Sequence, residues 1–150
     1  MKNFIDRNVA RKNSFKKTLK TKTDLKLPPI FSWMEFSLSG LCNRVCEFCP
    51  RSNPKEFPNL NIHMSIESYT SVIEDLKSIN YKGGMIYSGF SEPILYKYLF
   101  EAITVTRNLL PNNRIEIVTN GDHLKLDKLL KLFVCGLTQI SVSLYDGPHQ

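Results

Sequence analysis

The residues best suited to chemistry are three cysteines that fall within eight positions of one another. Cys42, Cys46 and Cys49 stand in the stretch SGLCNRVCEFCPRSNP, four and then three residues apart. The chain has only four cysteines, and three of them are too closely clustered for a disulfide framework. The spacing therefore indicates metal binding or redox chemistry.

A zinc site is one interpretation of this cluster. Structural zinc takes four protein ligands, so the three cysteines would need a fourth, for which the sequence offers His63. The remaining cysteine, Cys135, follows the apolar residues LFV and is predicted to be a core thiol instead. A thioredoxin-like CxxC at Cys46 and Cys49 is a second interpretation, but it gives Cys42 no role.

An iron–sulfur cluster is the interpretation that uses all three thiols. A cubane cluster has four irons, and thiolates are their usual protein ligands. Three cysteines on one loop would hold three of the irons and leave the last one open to a substrate or cofactor, as catalytic metal sites do. The absence of a fourth cysteine from this loop is then the functional feature.

The elements that must position this loop alternate along the chain between strands and helices. Periodicity predicts strands at 34–39, 85–88, 114–119 and 140–144, and helices at 66–79, about 95–109 and 124–134. Ser65 is the predicted cap of the first helix and Gly136 that of the last. The order β-α-β-α-β-α-β predicts a parallel sheet joined by right-handed crossovers.

The predicted sheet has one polar face. In the last strand (ISVSL, 140–144) the three apolar residues would pack on helices, which leaves Ser141 and Ser143 on the opposite face. The first strand divides in the same way, whereas a flat, doubly wound parallel sheet is apolar on both faces. A polar face predicts a sheet that curls around a polar lumen. The predicted fold class is therefore α/β, with a partial parallel (β/α) barrel.

The cysteine motif resembles that of the radical S-adenosylmethionine (radical SAM) superfamily. The family pattern CxxxCxxC, with an aromatic residue before the last cysteine, is matched by Cys42, Cys46, Phe48 and Cys49. Three strand ends also resemble the family: SGFSEP at 88–93 is similar to its Gly-Gly-Glu-Pro motif, and TNG at 119–121 and ISVSL at 140–144 match its third and fourth strands. The resemblance covers about residues 31–147 and implies the first four βα units of a radical SAM-type barrel.

The resemblance also implies a set of site residues. Cys42, Cys46 and Cys49 would hold a [4Fe–4S] cluster whose open iron binds S-adenosylmethionine. The implied cofactor-binding residues are Phe48, Gly89, Phe90, Ser91, Glu92, Asn120 and Ser143. The 89–92 segment would bind the methionine amino group of the cofactor, although Ser91 stands where glycine is common, and Ser143 would approach the ribose. No catalytic residue beyond the cluster ligands is predicted.

The activity implied by the resemblance is that of a radical SAM enzyme. The reduced cluster would cleave S-adenosylmethionine and generate a 5′-deoxyadenosyl radical, which abstracts hydrogen from a substrate. The substrate is a peptide or another biomolecule that the sequence does not identify, and a reductant such as flavodoxin or ferredoxin is an expected partner. The alternative function is a zinc-stapled Cys3His module that binds nucleic acid or another partner.

Basic residues are concentrated at the amino terminus. Residues 1–28 hold nine Lys or Arg against two Asp, a net charge of +7, whereas the other 122 residues hold eleven against twelve Asp or Glu, a net of −1. This segment lacks apolar periodicity and predicts a flexible, solvated extension before a core at residues 29–150. Contact with an acidic partner or nucleic acid is the alternative for the extension.

The remaining sequence sets the expected compartment and extent of the protein. No apolar stretch is long enough for a secretory signal or a membrane span, so we expect a cytoplasmic protein without a membrane partner and do not favour nucleic acid as a partner.

With 42% hydrophobic residues, the 150 positions suffice for one core. The predicted barrel stops after its fourth strand with an uncovered edge, so we expect the N-terminal part of a longer protein or a chain that needs a partner.

Overall fold

Four short parallel strands, joined by helices, form the framework of the protein. The computed structural model describes residues 31–145, and the predicted extension at residues 1–28 lies outside them. The strands are β1 (Trp33–Phe36), β2 (Gly84–Tyr87), β3 (Ile115–Thr119) and β4 (Gln139–Val142), and the helices are α1 (Ile66–Ser78), α2 (Leu99–Leu109) and α3 (Leu126–Val134). Short 3-10 turns at Pro50–Ser52 and Pro93–Leu95 complete the elements of these residues.

The strands lie in chain order, β1-β2-β3-β4, and each neighbouring pair is parallel. One helix connects each strand to the next, because parallel neighbours need a crossover connection. Because all strands run in one direction, the loops that leave their carboxyl ends meet at one edge of the sheet, where α/β enzymes build their sites. The predicted α/β partial barrel is confirmed.

The two faces of the sheet differ in polarity. One face is apolar, and its Met85, Tyr87 and Ile117 are fully buried in the core together with residues of the helices. The opposite face carries Glu116, which is also fully buried and accepts a hydrogen bond from Ser141 Oγ at 2.7 Å. A polar layer on one side of a parallel sheet fits the predicted lumen.

The caps that begin α1 and end α3 are those predicted. Ser65 Oγ accepts a hydrogen bond from the backbone N–H of Ser68 at 3.1 Å, which satisfies one of the unpaired donors at the start of α1. At the other site the N–H groups of Gly136 and Leu137 donate to carbonyl groups of the last turn of α3. Gly136 has a φ of +109°, and the pair of hydrogen bonds is that of a Schellman motif.

Several predicted boundaries were wrong. β1 ends at Phe36 rather than at residue 39, and α2 begins at Leu99 rather than near residue 95, because the 3-10 turn that starts at Pro93 precedes it. At the end of β4, Val142 and Leu144 are exposed, so the predicted packing of these two side chains on helices is wrong within the described residues. Among residues 31–145, no helix has the length and hydropathy needed to cross a bilayer.

Candidate cluster and cofactor site

The three cysteines lie in a long loop, residues 37–64, that leaves the carboxyl end of β1; we call it the cysteine loop. The two ends of the loop run side by side, and the N–H of Gly40 donates to the carbonyl of Ile62 at 2.9 Å. A Cβ atom at Gly40 would lie 2.5 Å from the carbonyl oxygen of Leu60. Glycine is therefore required where the loop closes at its base.

Asn59 fixes the first cysteine. Its side-chain oxygen accepts from the backbone N–H of Cys42 at 2.9 Å, and its side-chain nitrogen donates to the carbonyl of Cys42 at 3.1 Å. These two bonds imitate the pairing of neighbouring strands. The other two cysteines are joined by a turn, since the N–H of Cys49 donates to the carbonyl of Cys46 at 2.9 Å.

Arg51 ties the end of the cysteine motif to its surroundings. Its guanidinium donates to the carbonyl of Gly40 at 2.7 Å, to Asn59 Oδ1 at 3.0 Å and to the carbonyl of Phe90. The side chain is buried and lies over the ring of Phe57, with its central carbon 5.1 Å from the ring centroid. Arg51 therefore connects the cysteine loop with the loop that follows β2.

The loop that follows β3 holds the middle of the cysteine motif. Asp122 accepts hydrogen bonds from Asn43 at 2.6 Å and from two nitrogens of Arg44 at 2.8 and 2.5 Å. The Asn120 side chain donates to Asn43 Oδ1 at 2.9 Å. The hydrogen bond from Arg44 is the main reason why the pKa of Asp122 lies below its usual range. Residues 43 and 44, between the first two cysteines, are thus anchored across the sheet edge.

Glu92 joins the ends of β2 and β3. Its carboxylate accepts from Thr119 Oγ1 at 2.6 Å, from the N–H of Asn120 at 2.8 Å and from the N–H of Ile94 at 3.1 Å. The N–H of Glu92 itself donates to the carbonyl of Leu41, next to the first cysteine, at 2.8 Å. The side chain is only 3% exposed, so its hydrogen bonds replace those it would make with water.

The other predicted residues of the 89–92 segment lie against the start of the cysteine loop. Gly89 has a φ of +93° and packs on Ser37, where a Cβ would come within 3.0 Å of the serine side chain. The hydroxyl groups of Ser91 and Ser37 share a hydrogen bond of 3.1 Å. Phe90 is exposed and makes an edge-to-face contact with Phe57 at 5.3 Å.

The end of β4 reaches the same region. Phe48, the aromatic residue before the last cysteine, makes an edge-to-face contact with Tyr145 at 4.7 Å between ring centroids. The N–H of Ser143 donates to the carbonyl of Thr119 at 2.8 Å. The cysteine loop is therefore connected to the segments that follow all of the other three strands.

His63 contacts Asn61 and Tyr96, and Cys135 packs against the core. His63 bonds Asn61 through Nε2 at 3.0 Å, and burial followed by the charge of Lys97 lowers its pKa. Cys135 caps the carboxyl end of α3, half-buried against the core, and so lies towards the amino end of β4. Within residues 31–145, no three His, Cys, Asp or Glu side chains converge closely enough to hold a single ion.

The donor set fits a polynuclear cluster better than one zinc ion. All four cysteines lie in the described part of the chain, and none forms a disulfide. A cubane cluster places each thiolate on a different iron, so its ligands need not converge on one point as zinc ligands do. The three half-buried thiols on one anchored loop fit such a cluster.

Three residues of the site were not predicted from the sequence. Arg51, Asn59 and Asp122 supply most of the side-chain hydrogen bonds that hold the cysteine loop. The available signals were weak: an arginine two residues after the last cysteine, an asparagine among prolines, and an aspartate directly after the TNG turn. None of these patterns specifies the partner, which lies on another loop or at a distant position of the same loop.

Comparisons with known proteins show similarity at the level of family and fold. The family model described as the radical SAM superfamily matches residues 36–149. The chain is 30% identical over 118 residues to the S-adenosyl-L-methionine-dependent 2-deoxy-scyllo-inosamine dehydrogenase of Niallia circulans, an alignment that covers 79% of this chain and 46% of the relative.

Two solved structures are similar as well. The crystal structure of BtrN in complex with AdoMet and 2-DOIA is 29% identical with a TM-score of 0.75, and the match covers 81% of this chain and 49% of that one. Selenomethionine BtrN in an open conformation is 28% identical with a TM-score of 0.71, over 82% of this chain and 54% of that one. The chain thus spans about half the length of the relatives it matches.

Proposed function

Because the chain belongs to the radical SAM superfamily, we propose that it is an enzyme whose Cys42, Cys46 and Cys49 hold a [4Fe–4S] cluster. The superfamily uses this cluster together with S-adenosylmethionine. The observation that carries the proposal is the anchoring of three thiols on one loop at the carboxyl edge of a parallel sheet, with contacts to the segments after β2, β3 and β4.

The protein's own contribution is to position the cysteine ligands of the cluster. When bound, the cluster supplies the one-electron cleavage of S-adenosylmethionine to methionine and a 5′-deoxyadenosyl radical, which takes hydrogen from the substrate. Asn59 holds the backbone N–H and carbonyl of Cys42, Asp122 holds the side chains of Asn43 and Arg44, and the turn at Cys46–Cys49 joins the other two cysteines. A rigid loop holds its ligands in the geometry that binding requires, at little further cost in conformational entropy.

We assign the cofactor to the space beside the segments that follow β2, β3 and β4. The predicted contacts Gly89, Phe90, Ser91, Asn120 and Ser143 all lie there, with Phe48 on the cysteine loop facing Tyr145. Because the oxygens of Glu92 are engaged by Thr119, Asn120 and Ile94, its first role is to hold these segments at a fixed separation. The backbone of the 89–91 segment is then the surface available to the methionine end of the cofactor.

The substrate is proposed to be a polar small molecule that undergoes dehydrogenation. This is the reaction in the name of the curated relative, and the polar face of the sheet supports it, since Glu35 bonds Ser88 and Glu116 bonds Ser141 there. A flavodoxin or ferredoxin would supply the electron. We place the enzyme in the cytoplasm, a reducing compartment that keeps clustered thiols unoxidised.

Anaerobic reconstitution followed by cofactor cleavage tests the proposal. The chain is loaded with iron and sulfide, reduced with dithionite and mixed with S-adenosylmethionine, and 5′-deoxyadenosine is followed by chromatography. We expect iron and sulfide in the wild type and in Cys135→Ala, but not in Cys46→Ala, and only slow formation of 5′-deoxyadenosine, because the chain spans about half the length of the relatives it matches. Stoichiometric zinc that survives the Cys46→Ala change, or 5′-deoxyadenosine formed equally by the wild type and Cys46→Ala, would contradict the proposal.

A further inference from the structure

Of the two arginines on the cysteine loop, Arg51 is the one that is almost completely removed from solvent. Its residue is 6% exposed, whereas Arg44, on the same loop, keeps 17% of its side chain exposed and pairs with the carboxylate of Asp122. Arg51 follows Cys49 by two positions. Through Asn59 Oδ1 it also shares an acceptor with the backbone N–H of Cys42. The guanidinium is therefore linked to both the first and the last cysteine.

All hydrogen-bond acceptors of Arg51 are neutral. They are two backbone carbonyls, of Gly40 and Phe90, and the amide oxygen of Asn59. No carboxylate of residues 31–145 forms an ion pair with it. Since arginine stays protonated in proteins, a full positive charge is held out of water without an anion among its described partners. Such a charge is costly unless an anion lies close to it.

The thiolates of the cysteine motif are the candidate anions, because Arg51 follows Cys49 by two positions and bonds Asn59, which holds the backbone of Cys42. A [4Fe–4S] cluster with three thiolate ligands is net negative, and each electron that it accepts adds a negative charge. A buried cation close to the cluster stabilises the reduced state more than the oxidised one, because charge interactions are strong where water is excluded. The same guanidinium bonds the carbonyl of Phe90, so it also fixes the distance between the cysteine loop and the 89–92 segment.

We propose that Arg51 is a positioning residue of the cluster site, which supplies the buried positive charge that balances the thiolate-bound cluster and joins the cysteine loop to the Gly89–Glu92 segment. This inference rests on the proposed function, because it concerns the same cluster. It extends that function by assigning to a residue outside the cysteine motif a share in setting the reduction potential and the response to the cofactor.

Two substitutions separate the effect of the Arg51 charge from the effect of its planar guanidinium group. Arg51→Lys keeps the charge and loses the geometry that reaches three acceptors at once, whereas Arg51→Gln loses the charge. Lys55→Gln is the matched control, since Lys55 is exposed and close in sequence. For each reconstituted chain we would measure iron content, the cluster midpoint potential by redox titration monitored with electron paramagnetic resonance (EPR), and the change of the EPR spectrum when S-adenosylmethionine is added.

The expected pattern is specific. Arg51→Gln shifts the midpoint potential to more negative values than in the wild type, Arg51→Lys restores it but shows a smaller spectral response to the cofactor, and Lys55→Gln changes neither. If the wild type loads no iron, the proposed function fails. If the wild type loads and Arg51→Gln has the same potential and the same cofactor response, only the present inference is overturned.

A second variant covers the case in which both Arg51 substitutions prevent folding or loading. Asn59→Asp leaves Arg51 in place and puts a carboxylate between it and Cys42, which would neutralise the guanidinium locally. We expect the loaded Asn59→Asp protein to have a more negative midpoint potential than the wild type and to release iron severalfold faster to a chelator. An unchanged potential together with unchanged iron release in Asn59→Asp would overturn the inference.

Discussion

Two regions of the molecule differ in how fully their side chains are engaged by contacts with the rest of the described chain. The cysteine loop is irregular, yet side-chain hydrogen bonds anchor it, from its own Arg51 and Asn59 and from Asp122 of the segment after β3. The helix α3 and the strand β4 are regular, but they expose a set of apolar side chains, which we call the α3–β4 edge. It consists of Leu126, Leu130, Phe133, Val134, Val142 and Leu144.

The usual expectation for a small domain is the reverse of this contrast. Loops are normally the more variable and mobile parts, whereas regular elements bury their apolar faces. An anchored loop indicates that the chain itself supplies what the three thiols need to be positioned. An uncovered apolar edge indicates that α3 and β4 are shaped for contact with another apolar element, which residues 31–145 do not supply. Local changes should therefore act on different properties in the two regions.

The largest effect separates the cysteines of the two regions. Cys42→Ala, Cys46→Ala and Cys49→Ala should each abolish cluster retention, since two thiolates cannot hold a cubane against loss. Cys135→Ala, at the end of α3, should keep up to about four irons per chain, the number in one cubane. Iron and acid-labile sulfide assays after anaerobic gel filtration measure this. Equal iron in Cys46→Ala and Cys135→Ala would remove the basis of the contrast.

The second effect lies within α3, whose two faces should differ in stability. Leu132 is fully buried and Leu130 is 59% exposed, so the two leucines form a matched pair on one helix. Leu132→Ala should lower the free energy of unfolding by about 2–5 kcal/mol, and Leu130→Ala should change it by about 0.5 kcal/mol or less. Urea denaturation followed by circular dichroism measures both. Similar losses in the two variants would show that the outer face of α3 is covered in solution.

The third effect tests whether the sheet edge is structurally joined at Glu92. Glu92→Gln would point an amide NH2 at donors of Thr119, Asn120 or Ile94, so buried donors would face each other. We expect a loss of about 1–3 kcal/mol, the cost of an unsatisfied buried polar group. Unfolding of the metal-free protein isolates this role from any role in cofactor binding, with exposed Glu74→Gln as the control. An unchanged free energy of unfolding in Glu92→Gln would assign the residue to cofactor binding alone.

The part of the site that could be predicted is the part encoded in local sequence. Cys42, Cys46 and Cys49 were recognisable from their spacing, and the sheet order followed from alternating periodicities, both of which are read within a few residues. The bonds from Arg44 to Asp122 join positions 78 residues apart, and no local pattern specifies such a partner. The start of α2 was misplaced because Pro93 favours the first turn of an α-helix as well as the 3-10 turn that forms.

The fourth effect is smaller and concerns the middle of the cysteine motif. Asp122→Asn should weaken the anchoring of Asn43 and Arg44 by about 0.2–1 kcal/mol, the range for exposed ion pairs. Iron release to a chelator should accordingly rise by about fivefold at most, and the exposed variant Asp75→Asn serves as the control. An unchanged release rate would mean that this anchor adds nothing to the hold that Asn59 and Arg51 provide.

The pH dependence of the same contact follows from the lowered pKa of Asp122, which the Arg44 hydrogen bond causes. A carboxyl group with a depressed folded-state pKa stabilises the fold fully above its unfolded pKa, about 3.9 for aspartate, and loses that contribution as the pH falls through the folded value. The difference in iron release between wild type and Asp122→Asn should therefore be constant from about pH 6 to 8, apart from any part that follows the charge of His123, which also lowers the pKa of Asp122. A difference that changes over this range would point to another titrating group.

The smallest effect on stability, and the one most specific to the α3–β4 edge, is expected from charges placed on its surface. Leu130 and Val134 lie one turn apart on the exposed face of α3, and Val134 is 86% exposed. Lysine at both positions should change the free energy of unfolding by about 0.5 kcal/mol or less, because neither side chain loses buried contacts. If the wild type self-associates through this edge, the double substitution should shift it towards monomer in sedimentation velocity, because it interrupts the exposed apolar surface. Ile79→Lys, an equally simple change on the exposed end of α1, should leave self-association unchanged. An identical shift from both changes would mean that general charge, rather than this edge, controls association.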